Sequence, residues 1–131
     1  MKTNNQTIKI VGRVTSGNAL GHRLGFPTAN LAPVDSLPDA ADGVWAGYAS
    51  VEGREYRAVI NIGRSPSVVE NGERRVEVHI VDFDGDIYGR ELSVSLCFHL
   101  REELKFPSRE ALVEQIARDK QEAINILKNN E

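Results

Sequence analysis

The sequence predicts an all-β domain, a small closed antiparallel β-barrel with a C-terminal α-helix packed on it. Two observations predict this class: strand-like segments with antiparallel links fill most of the chain, and only the last apolar pattern has a helical period. A sandwich fits the same strands, but a barrel is favoured because closure removes exposed strand edges.

Five segments are rich in β-branched residues or alternate apolar with polar positions, and each is predicted to be a strand. They are residues 8–14, 43–51, 55–61, 75–82 and 91–100. Two links are short enough to form hairpins. Glu52-Gly53 joins the second and third strands, and Asp84-Gly85, a pair that adopts positive φ at low cost, lies between the fourth and fifth.

The fifth strand and the helix each have one apolar face. Strict alternation predicts that five side chains of the strand share one buried face: Leu92, Val94, Leu96, Phe98 and Leu100. Ser108 is placed to cap the helix that follows it. The helical face that is predicted to pack on the barrel carries Leu112, Ile116, Ala123 and Leu127.

Length and composition predict one soluble domain, residues 1–131. With 40% hydrophobic and 27% charged residues, the chain has enough apolar residues for one core, and no apolar run approaches the roughly 20 residues of a membrane span. The polar first residues lack a secretory pattern, and a single cysteine, Cys97, cannot form an internal disulfide. A cytoplasmic location is therefore expected.

The charge and the loops indicate where a ligand would bind. A net charge of −3, with no run of like charges, argues against a nucleic-acid partner held by a basic face. A phosphate would then be bound locally, by backbone amides, a few arginines or a divalent cation. Residues 12–30 and 62–74 are irregular and rich in glycine, and long loops of this kind are often functional.

The first irregular segment contains candidate phosphate ligands. Gly17 and Gly21 would let the backbone approach a phosphate closely, and His22 or Arg23 would add positive charge. The spacing is not that of the common phosphate loop. A flexible connector between strands explains the same residues, so this segment alone decides nothing.

Two further polar pairs are candidates for metal binding and catalysis. Thr28 and Asn30 are two residues apart, so their side-chain oxygens point the same way in an extended segment. Oxygens of this kind would suit Mg²⁺. The alternative is a local turn in which these side chains bond their own backbone. Glu77 and His79 alternate with apolar residues and project from the face opposite the core. Glu77 would be a well-held general base, although exposed strand glutamates without a role are common.

Together these segments closely resemble the riboflavin kinase (flavokinase) family, found as a stand-alone enzyme or as the C-terminal kinase domain of bifunctional FAD synthetases. The resemblance extends over residues 12–127. The matching stretches, in family order, are Gly25-Phe26-Pro27-Thr28-Ala29-Asn30-Leu31, Gly43-Val44-Trp45-Ala46, Asn61-Ile62-Gly63-Arg64-Ser65-Pro66, Val76-Glu77-Val78-His79-Ile80, Asp82-Phe83, Asp86-Ile87-Tyr88-Gly89, Leu100-Arg101-Glu102 and Lys105-Phe106.

The resemblance implies a Greek-key barrel and an enzyme that transfers the γ-phosphate of ATP to the 5′-hydroxyl of riboflavin, giving FMN and ADP. Glu77 would be the catalytic base, and Thr28 and Asn30 would bind Mg²⁺ together with the ATP phosphates. Arg101 would lie in a loop that closes over the flavin. The residues that would contact ATP are Gly17, Gly21, His22, Arg23, Thr28 and Tyr88.

Three positions depart from the family pattern. His22 stands where Arg or Lys is usual, which leaves Arg23 as the permanent charge near the phosphates. Ser67 replaces a threonine and keeps the hydroxyl, and Trp45 replaces a tyrosine and is expected to pack. The catalytic set is retained.

Other interpretations remain open. The chain lacks the His-x-Gly-His type signature of the adenylyltransferase half, so FAD synthesis is not expected from it. A non-catalytic flavin- or nucleotide-binding β-barrel is the alternative from another class, and an oligonucleotide-binding barrel would need a basic, aromatic face that 6% aromatic residues do not provide. The expected partners are riboflavin, FMN, ATP and ADP, with no nucleic acid or membrane, and the chain is expected to be a monomer.

Overall fold

The computed structural model describes residues 7–17, 28–33, 37–63, 74–83, 85–104 and 106–131. The strands are β1 (Ile8–Gly17), β2 (Ala29–Pro33), β3 (Gly43–Val51), β4 (Arg54–Gly63), β5 (Arg75–Ile80) and β6 (Glu91–Arg101), and the helix α1 spans Arg109–Asn129. The strands close into an antiparallel barrel in the order β1-β2-β5-β4-β3-β6, with β6 paired to β1. The predicted barrel with its C-terminal helix is confirmed.

Strand β2 begins within the segment 12–30 that the sequence pattern left irregular, and no strand was predicted there. β1 continues to Gly17, and β2 pairs with β1 on one side and with β5 on the other. Its sequence, Ala-Asn-Leu-Ala-Pro, has little intrinsic preference for a strand. The two neighbouring strands make it one, because they complete its backbone hydrogen bonds, and local sequence carries no information about them.

One predicted hairpin is confirmed and the other is wrong. Glu52 and Gly53 link β3 to β4 with φ values of 51° and 84°, the left-handed pair of a tight hairpin turn. The link that contains Gly85 is not a hairpin, because β5 pairs with β2 and β4, whereas β6 pairs with β1 and β3. This link instead reaches β1, where the Gly89 amide donates to the Val14 carbonyl at 2.8 Å.

The barrel interior is filled by aliphatic side chains from every strand, among them Ile10, Leu31, Ile60, Ile62, Val76, Val78, Leu92, Val94 and Leu96. Trp45 joins this core, as expected, and its indole N–H donates to the Ala41 carbonyl at 2.9 Å. Apolar side chains that alternate along these strands therefore form one closed core, as the period of two predicted.

The fifth predicted strand does not keep one apolar face along its whole length. Between the pairs Gly47–Leu96 and Ala46–Phe98 the register shifts, so Cys97 is an extra residue in β6. This β-bulge moves Phe98 and Leu100 from the barrel interior to a second cluster outside it. The prediction of one face holds for Leu92, Val94 and Leu96 and is wrong for the two residues beyond the bulge.

Helix α1 covers the second apolar cluster. Ser108 caps the helix, with its hydroxyl oxygen accepting from the Ala111 amide at 3.1 Å. Ala123 and Leu127 are fully buried against Ala46 and the residues that pack on it, including Phe98. The predicted cap and the predicted packing of the helix on the barrel are confirmed, and the bulge in β6 supplies part of the surface on which the helix rests. Among the described residues, no helix is long and apolar enough to cross a membrane.

Candidate active site

The polar residues of β2, β5 and β4 lie on the outside of the barrel. Because Leu31, Val76 and Ile62 face the interior, the residues that alternate with them face outward. Asn30, Glu77 and Asn61 are the outward residues at one level, and each is partly buried. The outer face therefore carries a polar, half-covered surface where the sequence predicted the catalytic base and the metal ligands.

Strand register places these side chains side by side. Asn30 is paired with Glu77 across β2 and β5, and Glu77 with Asn61 across β5 and β4. The same level continues through Val44 of β3 to Arg101 of β6. We call Asn30, Glu77, Asn61, Val44 and Arg101 the lateral row. Adjacent strands are about 4.8 Å apart, so the row follows about 19 Å of the barrel wall.

Buried side-chain oxygens lie on the segments that neighbour Glu77. The side-chain oxygens of Thr28, Asn30 and Asn61 are all shielded from solvent. Within the described part of the chain, Thr28 Oγ1 and Asn61 Oδ1 have no hydrogen-bond partner. Buried polar atoms of folded proteins are nearly always bonded, because desolvation without a partner costs roughly 1–3 kcal/mol. Oxygens in this state are what a ligand or a cation would satisfy.

The side-chain oxygens of Thr28 and Asn30 are of the kind that binds a hard cation such as Mg²⁺. Thr28 directly precedes β2, and Asn30 lies two residues further on the same extended segment. Gly17, at the end of β1, is paired with Ala29, so the start of the glycine-rich segment lies beside Thr28. The structure describes no group of three or more His, Cys, Asp or Glu residues that could hold a metal. Mg²⁺ also takes neutral oxygens, and it is often bound together with substrate phosphates.

Arg101, at the other end of the lateral row, is bound to α1. Its guanidinium donates to both carboxylate oxygens of Asp119, with N–O distances of 2.8 to 3.2 Å, and lies 5.7 Å from the centre of the Phe106 ring. Asp119 is only 4% exposed and also accepts from Gln115 at 3.0 Å. The flavin role predicted for Arg101 stays a prediction, and the contacts described here tie the residue to the helix.

Sequence reasoning missed Asp119, although a signal for it was present. Asp119 lies between Ile116 and Ala123 at the helical spacing of three and four residues, on the stripe predicted to face the barrel. An acidic residue on such a stripe requires a buried partner. Arg101 is that partner, and only the packing of α1 against the end of β6 brings the two together.

The loop that follows Arg101 reaches the end of β4. A methyl group added at Gly63 would collide with the carboxylate of Glu103, so this carboxylate lies directly against the Gly63 backbone. Gly63 is two residues beyond Asn61 on β4. The ion pair of Arg101 and Asp119 therefore anchors a loop that passes close to the lateral row.

The remaining predicted site residues lie elsewhere or are not described. Tyr88 is 69% exposed in the link before β6, outside the lateral row, and its amide donates to Asp86 Oδ1 at 3.0 Å. Gly21, His22 and Arg23 lie outside the described residues. Their predicted contacts with ATP, and that of Tyr88, stay predictions.

Two other polar residues, His79 and Cys97, lie on the strands that carry Glu77 and Arg101. His79 follows Glu77 on the outer face of β5, and its Nε2 atom is buried. Cys97, the extra residue of the bulge, is half-buried, and this burial raises the pKa of its thiol. The thiol is thus less reactive than an exposed one.

The fold and the lateral row define a class, a small closed barrel with a polar, partly buried surface on its outer wall and a helix packed beside it. A family model described as "Riboflavin kinase" matches residues 4–127. The chain belongs to the riboflavin kinase family, so the family that the sequence predicted is confirmed.

Individual relatives support this membership. The chain is 41% identical over 111 residues to a protein of Bacillus subtilis named RNA-binding riboflavin kinase RibR. The matched region covers 84% of this chain and 47% of that relative. Other relatives are named bifunctional riboflavin kinase/FMN adenylyltransferase, and the chain covers 39% of the one from B. subtilis. The chain thus spans less than half the length of these curated relatives.

Solved structures share the barrel. The crystal structure of riboflavin kinase from Trypanosoma brucei has a TM-score of 0.62 at 25% identity, over 94% of this chain and 81% of that one. A solved chain described as a macrolide-efflux protein from Streptococcus pneumoniae has a TM-score of 0.78 at 38% identity. The match covers 89% of the present chain and 38% of that solved chain. Both likenesses extend over most of the present chain.

Proposed function

We propose that this chain transfers the γ-phosphate of ATP to the 5′-hydroxyl of riboflavin, giving FMN and ADP. The observation that carries the proposal is the position of Glu77 between Asn30 and Asn61 on three adjacent strands, beside buried oxygens that a ligand would satisfy. Membership of the riboflavin kinase family supplies the substrate class.

Glu77 acts as the general base. Its carboxylate accepts the proton of the riboflavin 5′-hydroxyl while that oxygen forms a bond to the γ-phosphorus of ATP. The bond between the γ-phosphorus and the β,γ-bridging oxygen breaks, and ADP leaves with that electron pair. A strand that is hydrogen-bonded on both sides holds the carboxylate in place, as β5 is between β2 and β4.

Thr28 and Asn30 are the residues that would hold Mg²⁺. Their oxygens are buried, belong to one extended segment and lie one strand away from Glu77. A Mg²⁺ ion at this place would offset the negative charge of the transferred phosphoryl group. The chain's own contribution is to fix two neutral oxygens where the phosphates arrive, with the backbone of Gly17 close beside them.

The two ends of the lateral row would bind different substrates. ATP is placed at the Thr28 end, where the glycine-rich segment begins, and the flavin at the Arg101 end, beside Phe106. Alignment of two bound substrates can lower a barrier by several kcal/mol, so positioning contributes more than the base when the transition state is loose. Glu77 lies between the two ends, where the hydroxyl and the γ-phosphate would meet.

The partners are small molecules, and we place the domain, residues 1–131, in the cytoplasm as a monomer. The net charge of −3 argues against a nucleic-acid partner, and the single cysteine fits a reducing cytoplasm. One relative is named as RNA-binding, but the chain covers only 47% of it. A gel-shift assay with RNA tests the absence of a nucleic-acid partner, and retarded RNA would contradict it. The molar mass measured in solution tests the monomer, and the mass of a dimer would contradict it.

The test is FMN formation from riboflavin, ATP and Mg²⁺, followed by chromatography, with riboflavin binding measured on the same preparation. FMN and ADP in equal amounts are expected. Riboflavin binding without any FMN would instead favour the alternative of a non-catalytic flavin-binding barrel. FAD among the products would contradict the prediction that this chain has no adenylyltransferase activity.

A further inference from the structure

Asn61 is a polar residue of the lateral row for which no role has been described above. It belongs to the segment Asn61-Ile62-Gly63 at the end of β4. Ile60 and Ile62 are fully buried in the barrel core, so Asn61 faces outward between them. It is paired with Glu77 of β5 on one side and with Val44 of β3 on the other.

The Asn61 side chain is in a state that calls for a ligand. Its Oδ1 is buried and has no hydrogen-bond partner among the residues that the structure describes. Val44, its neighbour on β3, is 2% exposed and offers only an apolar side chain. A buried amide oxygen without a partner is stabilised by an incoming hydrogen-bond donor.

The chemistry of Oδ1 limits what that donor can be. Phosphate oxygens are acceptors, so the ATP phosphates cannot satisfy the buried Oδ1 of Asn61. A cation shared with Asn30 fits poorly, because the two asparagines are separated by two strand spacings, about 10 Å, whereas ligand oxygens lie about 2.1 Å from Mg²⁺. A neutral hydroxyl group fits, since it can donate to Oδ1 and also accept from the amide nitrogen.

The position of Asn61 indicates that this hydroxyl belongs to the ribityl chain of riboflavin. From the Thr28 end towards the Arg101 end, the row passes from the metal ligands to Glu77, then to Asn61, and then towards Phe106. The ribityl chain of riboflavin must follow the same path, since its 5′-hydroxyl meets Glu77 and its ring system lies at the Arg101 end. Asn61 lies one strand from Glu77, beside the stretch of the ribityl chain between the 5′-hydroxyl and the ring system.

We propose that Asn61 hydrogen-bonds a secondary hydroxyl of the ribityl chain and so directs the 5′-hydroxyl towards Glu77. This inference rests on the proposed function and adds to it a determinant of specificity for the polyol. Asn61 selects flavins whose side chain carries secondary hydroxyls over flavins with a plain alkyl alcohol of equal length.

The test compares two flavins on two variants. Asn61→Ala removes the amide, and Asn61→Leu replaces it by an apolar side chain of similar size, which a buried site tolerates even if the alanine variant fails to fold. The flavins are riboflavin and an isoalloxazine that carries a 5-hydroxypentyl chain at N10. Asn125→Ala, on the exposed face of α1, is the matched control.

Both variants are expected to lose about 3- to 10-fold in kcat/KM and in affinity for riboflavin, the usual effect of one neutral hydrogen bond. With the hydroxypentyl flavin, each variant should match the parent within about twofold, because the partner hydroxyl is absent. Equal losses with both flavins would overturn the inference and indicate a packing role, and no loss with either would also overturn it.

The affinity measurement, followed by flavin fluorescence without ATP, separates this inference from the proposed function. If the parent binds riboflavin without forming FMN, the kinase function fails, and the affinity difference between the two flavins still decides the role of Asn61. If the parent binds neither flavin, both proposals fail.

Discussion

Glu77 lies on the outer barrel wall between two asparagines of the neighbouring strands. Asn30 lies beside it towards the predicted metal ligands, and Asn61 lies beside it towards the predicted flavin side. Val76 and Val78 are buried in the core on either side of it along β5. The strand therefore fixes the position of the carboxylate outside the barrel core.

Glu77→Gln should reduce turnover by about 10²- to 10⁴-fold, because glutamine keeps the size of the side chain but cannot accept the proton. The affinity for riboflavin should change little, since binding depends on other residues. FMN formation and riboflavin binding are measured on the same folded preparation. Glu55→Gln, an exposed glutamate of β4, is the control and should resemble the parent. Turnover within a few-fold of the parent would show that Glu77 is not the base.

Replacing Thr28 and Asn30 together by alanine should weaken the use of Mg-ATP far more than the binding of riboflavin. The two lost oxygens belong to the segment proposed to face the metal, one strand away from Glu77. The measurement is turnover as a function of Mg²⁺ concentration, with riboflavin affinity as the internal control. A normal Mg²⁺ dependence in the double variant would contradict the assignment of these residues as metal ligands.

At the scale of elements, α1 does more than cover an apolar cluster. Its Asp119 binds the guanidinium of Arg101 at the end of β6. The loop that follows carries Glu103 to the backbone of Gly63 on β4. The helix thus fixes the start of a loop that passes the predicted flavin side of the site, through one buried ion pair.

Removing either partner of this pair should destabilise the fold and weaken riboflavin binding. Arg101→Ala leaves Asp119 as a buried, uncompensated charge, and Asp119→Ala does the same to Arg101. The free energy of unfolding should fall by about 3 kcal/mol or less. This is the lower end of the range for fully buried ion pairs, because the Arg101 side chain is 18% exposed. Denaturant unfolding measures this cost, and riboflavin KM should rise more than ATP KM in both variants.

The double variant distinguishes a shared role from two separate ones. If Arg101 and Asp119 act as one unit, the double variant should lose less stability than the sum of the single variants, because its second substitution removes the stranded charge. Glu122→Gln, an exposed acid on α1, is the control. Additive losses, or an effect confined to ATP, would contradict the assignment of this pair to the flavin loop.

At the scale of the whole molecule, closure of the barrel depends on close contact between β3 and β6. A methyl group added at Gly47 would overlap the carbonyl oxygen of Ser95, so glycine is required where the two backbones approach each other. This contact lies next to the bulge at Cys97, where the register between the same strands shifts. The close approach and the bulge together shape the surface that α1 covers.

Gly47→Ala should destabilise the barrel by about 1–3 kcal/mol, the usual range for overpacking, because backbone atoms must move apart. For a domain of this size the melting temperature should fall by several degrees. Thermal unfolding followed by circular dichroism measures the change, and Ser50→Ala on the same strand is the control. A melting temperature equal to that of the parent would show that β3 and β6 are further apart than described here.

The sequence by itself determined the features that depend on near neighbours in the chain. Alternation of apolar residues predicted β3 to β6 and the outward position of Glu77, Glu52-Gly53 predicted its hairpin, and Ser108 predicted the helix cap. The resemblance of the motifs predicted the family. These signals are local because they depend on the period of a strand, the φ of a turn or a cap three residues away.

Only the tertiary structure decided the features that join distant parts of the chain. β2 became a strand through its two neighbours, and Cys97 became a bulge through pairing with β3. The lateral row takes one residue from each of five strands, and Asp119 finds its partner 18 residues away. Cross-strand register and helix packing set these contacts, and neither leaves a periodic trace in the sequence.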